Sequence, residues 1–139
     1  MADFLVERSF SADADTVWSK LGDFEGLGDW MPGIVKNEVE GEGIGASRKL
    51  YFNETTCVVE KLEALDEAAK SLSYSITEGP APVVDYLATI EVKPEGDGCR
   101  VEWRARFETP EGVDAEAVKP ALSSAYGGAL KALASIVEG

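Results

Sequence analysis

Residues 112–139 read GVDAEAVKPALSSAYGGALKALASIVEG, and this stretch decides the fold because it carries a long helical pattern. Asp114 is suited to the N-cap position, and Glu116 in the first turn favours a helix start there. About 24 helical residues at 1.5 Å each span roughly 36 Å, which is long for a globular helix. Apolar residues recur behind the cap at spacings of three and four and so share one face: Val118, Leu122, Ala125, Ala129, Leu133 and Ile136.

The apolar arc of this helix is uneven, with large side chains on one flank and alanines on the other. The large flank consists of Leu122, Tyr126, Leu130, Leu133 and Val137, and the small flank of Ala121, Ala125, Ala129 and Ala132. Either the large flank packs on a sheet while the small flank leaves space beside it, or the alanines simply allow close packing. Pro120 lacks a backbone donor, so we expect a kink near this residue.

Composition and charge exclude several classes of protein. A chain of 139 residues with 45% hydrophobic content is typical of one globular domain with a single core. Its net charge of −13 repels phosphates and anionic headgroups, which argues against nucleic-acid binding. The absence of histidine excludes Ser-His-Asp and Cys-His nucleophiles and most transition-metal sites. Cys57 and Cys99 are too few and too far apart for a zinc site, so we expect neither a metal nor a cofactor.

The N-terminal residues MADFLVERSF lack the regions of a secretory signal, and no apolar run approaches the ~18 residues of a membrane span. We therefore expect a cytoplasmic protein with no integral membrane segment. We expect it to be a monomer or a weak homodimer.

Before the long helix, the apolar pattern predicts a strand, two short helices and six further strands. The expected elements are a strand at 3–10, a helix at 14–21, a second helix within 22–33, and strands at 35–40, 46–52, 57–65, 71–77, 84–92 and 99–108. Short turn-forming links between strands imply antiparallel pairing. Alternation then predicts one inner face, which the long helix covers, formed by Tyr74, Tyr86, Ala88, Trp103, Ala105 and Phe107.

Two charged residues interrupt this inner pattern. Arg48 points inward if Leu50 does, and Glu60 points inward if Leu62 does. The two residues form an ion pair near the rim, lie outside after a register shift of one residue, or anchor a polar group inside an apolar cavity. The sequence leaves these alternatives open.

Short blocks over nearly the whole chain carry a resemblance to a known superfamily. The blocks are ADADTVW (12–18), LGDF (21–24), DWMP (29–32), VEKLEALD (59–66), YSI (74–76), DYLATI (85–90), VEW (101–103) and YGGALKAL (126–133). As a set they resemble the helix-grip superfamily, which includes START-type lipid carriers, birch pollen allergen-like proteins, plant hormone receptors and bacterial SRPBCC polyketide cyclase/dehydrase-like proteins. The resemblance implies one α+β domain over 1–139, in which a curved antiparallel sheet of about seven strands wraps around the long helix and encloses a hydrophobic cavity.

The sequence departs from the abscisic acid receptors of this superfamily. Met31 stands where they carry a carboxylate-binding lysine, and Gly79-Pro80-Ala81-Pro82 replaces their histidine-containing latch. The resemblance places pocket-lining polar residues near Glu60 and Tyr86, but it does not imply recognition of abscisic acid.

We predict that the cavity binds or carries a small hydrophobic molecule such as a lipid, polyketide or aromatic metabolite. The predicted ligand-binding residues are Trp30, Arg48, Phe52, Glu60, Tyr74, Tyr86, Trp103, Leu122, Ala125, Tyr126 and Ala129. Gly79, Pro80 and Pro82 are predicted to form a gate loop.

Two alternatives to a passive carrier stay open. One is a cyclase or dehydratase in which Glu60 and Tyr86 perform acid–base chemistry and Arg48 stabilises charge. The other is an interaction partner that presents the loop 79–84 as a surface.

Overall fold

A computed structural model describes residues 2–138, apart from the side chain of Asp29. Its elements are β1 (Ala2–Phe10), α1 (Ala14–Leu21), a 3-10 helix (Phe24–Asp29), β2 (Lys36–Glu40), β3 (Ser47–Tyr51), β4 (Cys57–Asp66), β5 (Ser71–Glu78), β6 (Val84–Glu95), β7 (Gly98–Glu108) and α2 (Ala115–Val137). Every predicted element is present. Gly139, the last residue of the helical stretch 112–139, lies outside the described residues.

The strands form one seven-stranded sheet in the order β1-β7-β6-β5-β4-β3-β2, and all neighbours are antiparallel. The predicted α+β helix-grip fold is therefore confirmed. The inner face that the sequence predicted is buried throughout: Tyr74, Tyr86, Ala88, Trp103, Ala105 and Phe107. Within residues 2–138, no helix has the length and apolar character needed to cross a membrane.

The turn between β6 and β7 is tighter than the sequence indicated. We expected a loop over 94–98, but β6 continues to Glu95 and β7 begins at Gly98. The two remaining residues form the turn, and Gly96 has a φ of +59°. Glycine at the first position of a two-residue hairpin allows this geometry without strain, so the strands can extend further than their apolar pattern.

The long helix α2 begins as predicted and extends through Pro120. The Asp114 carboxylate accepts a hydrogen bond from the Glu116 N–H at 3.0 Å, which caps the first turn. The fully buried residues lie in the C-terminal half of the helix: Tyr126, Ala129, Leu130, Leu133 and Ala134.

The buried arc of α2 is centred on Tyr126 and Leu133, which corrects part of the predicted face. Ile136 is 48% exposed, and Ala121 and Ala125 are also exposed. Successive residues turn by about 100° around a helix, so Ala125 and Ile136 fall at the edge of an arc centred on Tyr126. Apolar spacings of three and four residues fit the predicted face and the observed buried arc equally well. Only the packing of α2 against the sheet distinguishes the two.

Two of the three register shifts in the sheet lie at Glu60 and Tyr86, and the third lies between Leu62 and Ala64. The β4–β5 register shifts between Val59 and Glu60, and the β6–β7 register shifts between Val84 and Leu87. Asp85, inside the second shift, has a φ of +52°, a left-handed conformation that few non-glycine residues adopt. Such bulges bend a strand and redirect its side chains. They therefore contribute to the curvature of the sheet beside both polar residues.

Gly98 provides a test of the contact between β7 and the end of β1. A Cβ atom at Gly98 would lie 2.0 Å from the backbone oxygen of Phe10, so Gly98→Ala must displace main chain. We expect it to lower the free energy of unfolding by about 1–3 kcal/mol, measured in urea.

Gly128→Ala is the matched control for this substitution. A Cβ at Gly128 meets nothing within 4 Å, and the residue lies within α2. We expect a gain of about 0.5–1 kcal/mol from helix propensity alone. Equal stability of the Gly98→Ala variant and the wild type would contradict the described packing.

Candidate functional site

An internal cavity of about 140 Å³ lies between the inner face of the sheet, the segment around the 3-10 helix and α2. All but one of the predicted ligand-binding residues line it: Trp30, Arg48, Phe52, Glu60, Tyr74, Tyr86, Trp103, Leu122, Ala125 and Tyr126. The exception is Ala129, which is 1% exposed and lies one turn further along α2, within the closed core. The placement of Ala129 in the cavity wall was therefore wrong.

Part of the apolar lining was not predicted from the sequence. These residues are Leu21, Leu27, Met31, Leu50, Val58, Leu72, Ile76, Ala81 and Ile90. Those on β5 and β6 could have been found, because Leu72 and Ile90 follow the same alternation as Tyr74 and Tyr86. Leu21 and Leu27 could not have been predicted as lining residues, because helical periodicity does not show which end of a sheet a short helix covers.

The cavity has an open side. Phe52 is 36% exposed and Ala125 is also exposed, while Met31, Ala81 and Leu122 are half-buried. The predicted gate residues Gly79, Pro80 and Pro82 are exposed and stand outside the lining. Their neighbour Ala81 provides the contact of this loop with the cavity. A gating movement of the loop stays a prediction.

Arg48 and Glu60 lie opposite each other on β3 and β4 and both point inward. They are only 5% and 7% exposed. The Arg48 Nε and Nη2 atoms lie 2.8 and 2.7 Å from Oε1 of Glu60. Arg48 Nη1 donates to the Phe24 carbonyl at 3.0 Å, and its guanidinium lies 4.1 Å from the centre of the Phe24 ring. The pair thus connects the sheet to the 3-10 helix, and the exterior placement left open by the sequence is excluded.

The environment of Glu60 contains two opposing influences on its protonation. Burial raises the pKa of the Glu60 carboxyl, while the Arg48 guanidinium acts in the opposite direction through its charge and hydrogen bond. Burial is the larger influence, so the carboxyl is a weaker acid than an exposed glutamate.

A chain of hydrogen bonds connects three aromatic residues of the cavity wall. The Trp103 indole N–H donates to the Tyr74 hydroxyl, and that hydroxyl donates to the Tyr126 hydroxyl, each at 3.2 Å. The Trp103 and Tyr126 rings stack with centroids 4.0 Å apart. Burial raises the pKa of both tyrosines, so both hydroxyls keep their protons at neutral pH. The rings of Tyr74, Trp103 and Tyr126 form one side of the cavity.

Two buried polar atoms of the lining have no hydrogen-bond partner among the residues that the structure describes: Trp30 Nε1 and the Tyr86 hydroxyl oxygen. Trp30 is 5% exposed and Tyr86 is 2% exposed. The Tyr86 hydroxyl therefore makes no hydrogen bond to Glu60, the residue with which it was paired in the predicted acid–base site.

Within residues 2–138, no cluster of three or more acidic or cysteine side chains is suited to holding a metal ion. A wider groove of about 460 Å³ crosses β1, β7 and β6, where Leu5, Arg104 and Arg106 are exposed. None of the predicted site residues lines it.

Comparisons with known proteins agree with this architecture. A family model described as polyketide cyclase / dehydrase and lipid transport matches residues 1–138. The chain is 29% identical over 119 residues to MLP-like protein 423 of Arabidopsis thaliana, covering 74% of each chain.

Solved bacterial structures are similar over the full length. An uncharacterized protein from Bacillus thuringiensis is 29% identical with a TM-score of 0.89, covering 99% of this chain and 100% of the other. The protein XoxI from Bacillus cereus is 30% identical with a TM-score of 0.88, covering 99% and 96%.

The buried ion pair provides a test by double substitution. Glu60→Leu leaves the Arg48 charge buried without its partner, and we expect a loss of about 3–5 kcal/mol in the free energy of unfolding. Arg48→Met with Glu60→Leu removes both charges and should recover most of that loss. Urea unfolding of the wild type, the single variants and the double variant measures the coupling. Additive losses would contradict the described pair.

Proposed function

The chain belongs to the polyketide cyclase / dehydrase and lipid transport family, and we propose that it binds a small hydrophobic molecule in the cavity between the sheet and α2. The observation that carries the proposal is the space of about 140 Å³ that remains after α2 packs on the sheet. An apolar cavity of about 150 Å³ binds benzene in another protein, so this volume is sufficient for a small ligand.

The lining has the composition of a binding site. Apolar side chains form most of the wall, and a few polar groups project from it, as in most small-molecule pockets. The open side at Phe52 and Ala125 gives a ligand a route past exposed apolar atoms.

Catalysis by Glu60 and Tyr86 is the second candidate function. Burial raises the pKa of the Glu60 carboxyl, which favours a role in proton transfer near neutral pH. Against it, Oε1 of Glu60 is held by Arg48, and Tyr86 makes no hydrogen bond to Glu60 within residues 2–138. Binding without turnover is therefore the better-supported function.

Three tryptophans provide an internal test of ligand binding. Trp30 and Trp103 line the cavity, whereas the Trp18 indole N–H donates to Glu67 at 2.7 Å outside it. In two-dimensional NMR of the ¹⁵N-labelled protein, ethylbenzene should shift the indole signals of Trp30 and Trp103 and leave that of Trp18 unchanged. Equal shifts of all three indole signals would contradict binding in this cavity.

A pair of alanines on α2 tests where the ligand enters. Ala125 lines the open side, and Ala121, one turn earlier, is exposed outside the lining. Ala125→Phe should weaken ethylbenzene binding at least tenfold because the new ring occupies the entrance, while Ala121→Phe should leave the dissociation constant unchanged. The dissociation constants of both variants are measured by NMR titration. If the two substitutions weaken ethylbenzene binding equally, the ligand does not enter past Ala125.

A further inference from the structure

The cavity wall contains hydrogen-bond donors that have no partner among the described residues. They are the Trp30 indole N–H and the Tyr86 hydroxyl. Tyr74 and Tyr126 bring two hydroxyl protons to the one hydrogen bond between them, so one proton is left over. Acceptors are present as well, because Arg48 contacts Oε1 of Glu60 rather than Oε2, and a tyrosine hydroxyl oxygen can itself accept.

A buried donor without a partner is unfavourable, because burial removes its hydrogen bonds to water. Trp30 and Tyr86 are each more than nine-tenths buried, so this cost applies to both. A ligand that brings a hydrogen-bond acceptor removes the cost, whereas a pure hydrocarbon leaves it in place. The cavity therefore favours a ligand with an acceptor.

The charges of the cavity argue against an anionic acceptor. Among the described residues of the lining, Arg48 is the one cation, and it faces the Glu60 carboxylate at 2.7 Å and the Phe24 carbonyl at 3.0 Å. A second carboxylate would enter a buried space whose cation is already paired, and it would lie near Glu60. Burying an unpaired charge is costly, so a fatty acid or another carboxylate fits poorly.

The backbone conformation next to Tyr86 supports a functional role for the direction in which the Tyr86 hydroxyl points. Asp85 adopts a left-handed φ of +52° where the β6–β7 register shifts. Non-glycine residues seldom adopt this region, and such strain concentrates at functional sites, where the surrounding structure holds it in place.

From these observations we infer that the cavity selects a neutral molecule about one aromatic ring in size that carries a hydrogen-bond acceptor, such as a ketone, aldehyde or lactone oxygen. Tyr86 is the principal donor to that oxygen, and Trp30 is the second. The inference rests on the proposed binding function and specifies its ligand class.

The test compares three probes of similar size at pH 7.5. Ethylbenzene has no acceptor, acetophenone has a neutral one, and benzoate has an anionic one. Dissociation constants are measured by NMR titration for the wild type, Tyr86→Phe and Tyr51→Phe. Tyr51 is the matched control, because its hydroxyl contacts Glu38 and its side chain lies outside the cavity.

We expect acetophenone to bind the wild type at least tenfold more tightly than benzoate. The ratio of the ethylbenzene to the acetophenone dissociation constant should fall about tenfold in Tyr86→Phe and stay unchanged in Tyr51→Phe. Trp30→Phe, a second variant that removes a donor, should lower the same ratio. The NMR spectrum of each variant shows whether it is folded.

Two results would overturn the inference while leaving the proposed function intact. One is an unchanged ratio in both Tyr86→Phe and Trp30→Phe, and the other is benzoate binding as tight as that of acetophenone. If none of the three probes binds the wild type, the proposed function itself fails, and the inference fails with it.

Discussion

A single long helix covers the inner face of a sheet that is much wider than the helix, and this mismatch shapes the rest of the structure. Seven strands spaced about 4.8 Å apart extend over roughly 29 Å, whereas a helix with its side chains is about 10–12 Å across. The sheet must therefore curve around α2, and other residues must cover what α2 leaves open. The segment from α1 to Trp30 covers one end, and a cavity of about 140 Å³ remains.

The polar groups inside this space are costly for folding unless each has a partner. Arg48 and Glu60 pair across two strands, and Arg48 also binds the Phe24 carbonyl, so the pair connects the sheet to the segment that covers it. Trp103, Tyr74 and Tyr126 form a second partnered group through hydrogen bonds and stacking. Trp30 and Tyr86 differ because their donors have no partner within the described residues. This contrast supports a binding role for the latter two residues.

The order and type of the elements could be predicted because they depend on local patterns. Alternation in residues 99–108 showed which face of β7 is buried, and Asp114 showed where α2 begins. The inward direction of Arg48 and Glu60 could be stated only as an alternative, because periodicity shows which residues share a face but not whether a charge is tolerated there. The exposure of Ile136 and the place of Ala129 could not be predicted. They depend on how α2 rotates against a sheet whose bulges at Glu60 and Tyr86 leave no pattern in the sequence.

Packing of α2 on the sheet leaves an apolar space inside the folded protein, and the proposed binding depends on this space. Xenon enters dry apolar cavities of this size and scatters X-rays strongly, so a crystal under xenon pressure tests the claim directly. We predict a xenon site surrounded by Leu72, Ile90 and Trp103. Continuous side-chain density through that position, with no xenon site between the sheet and α2, would contradict it.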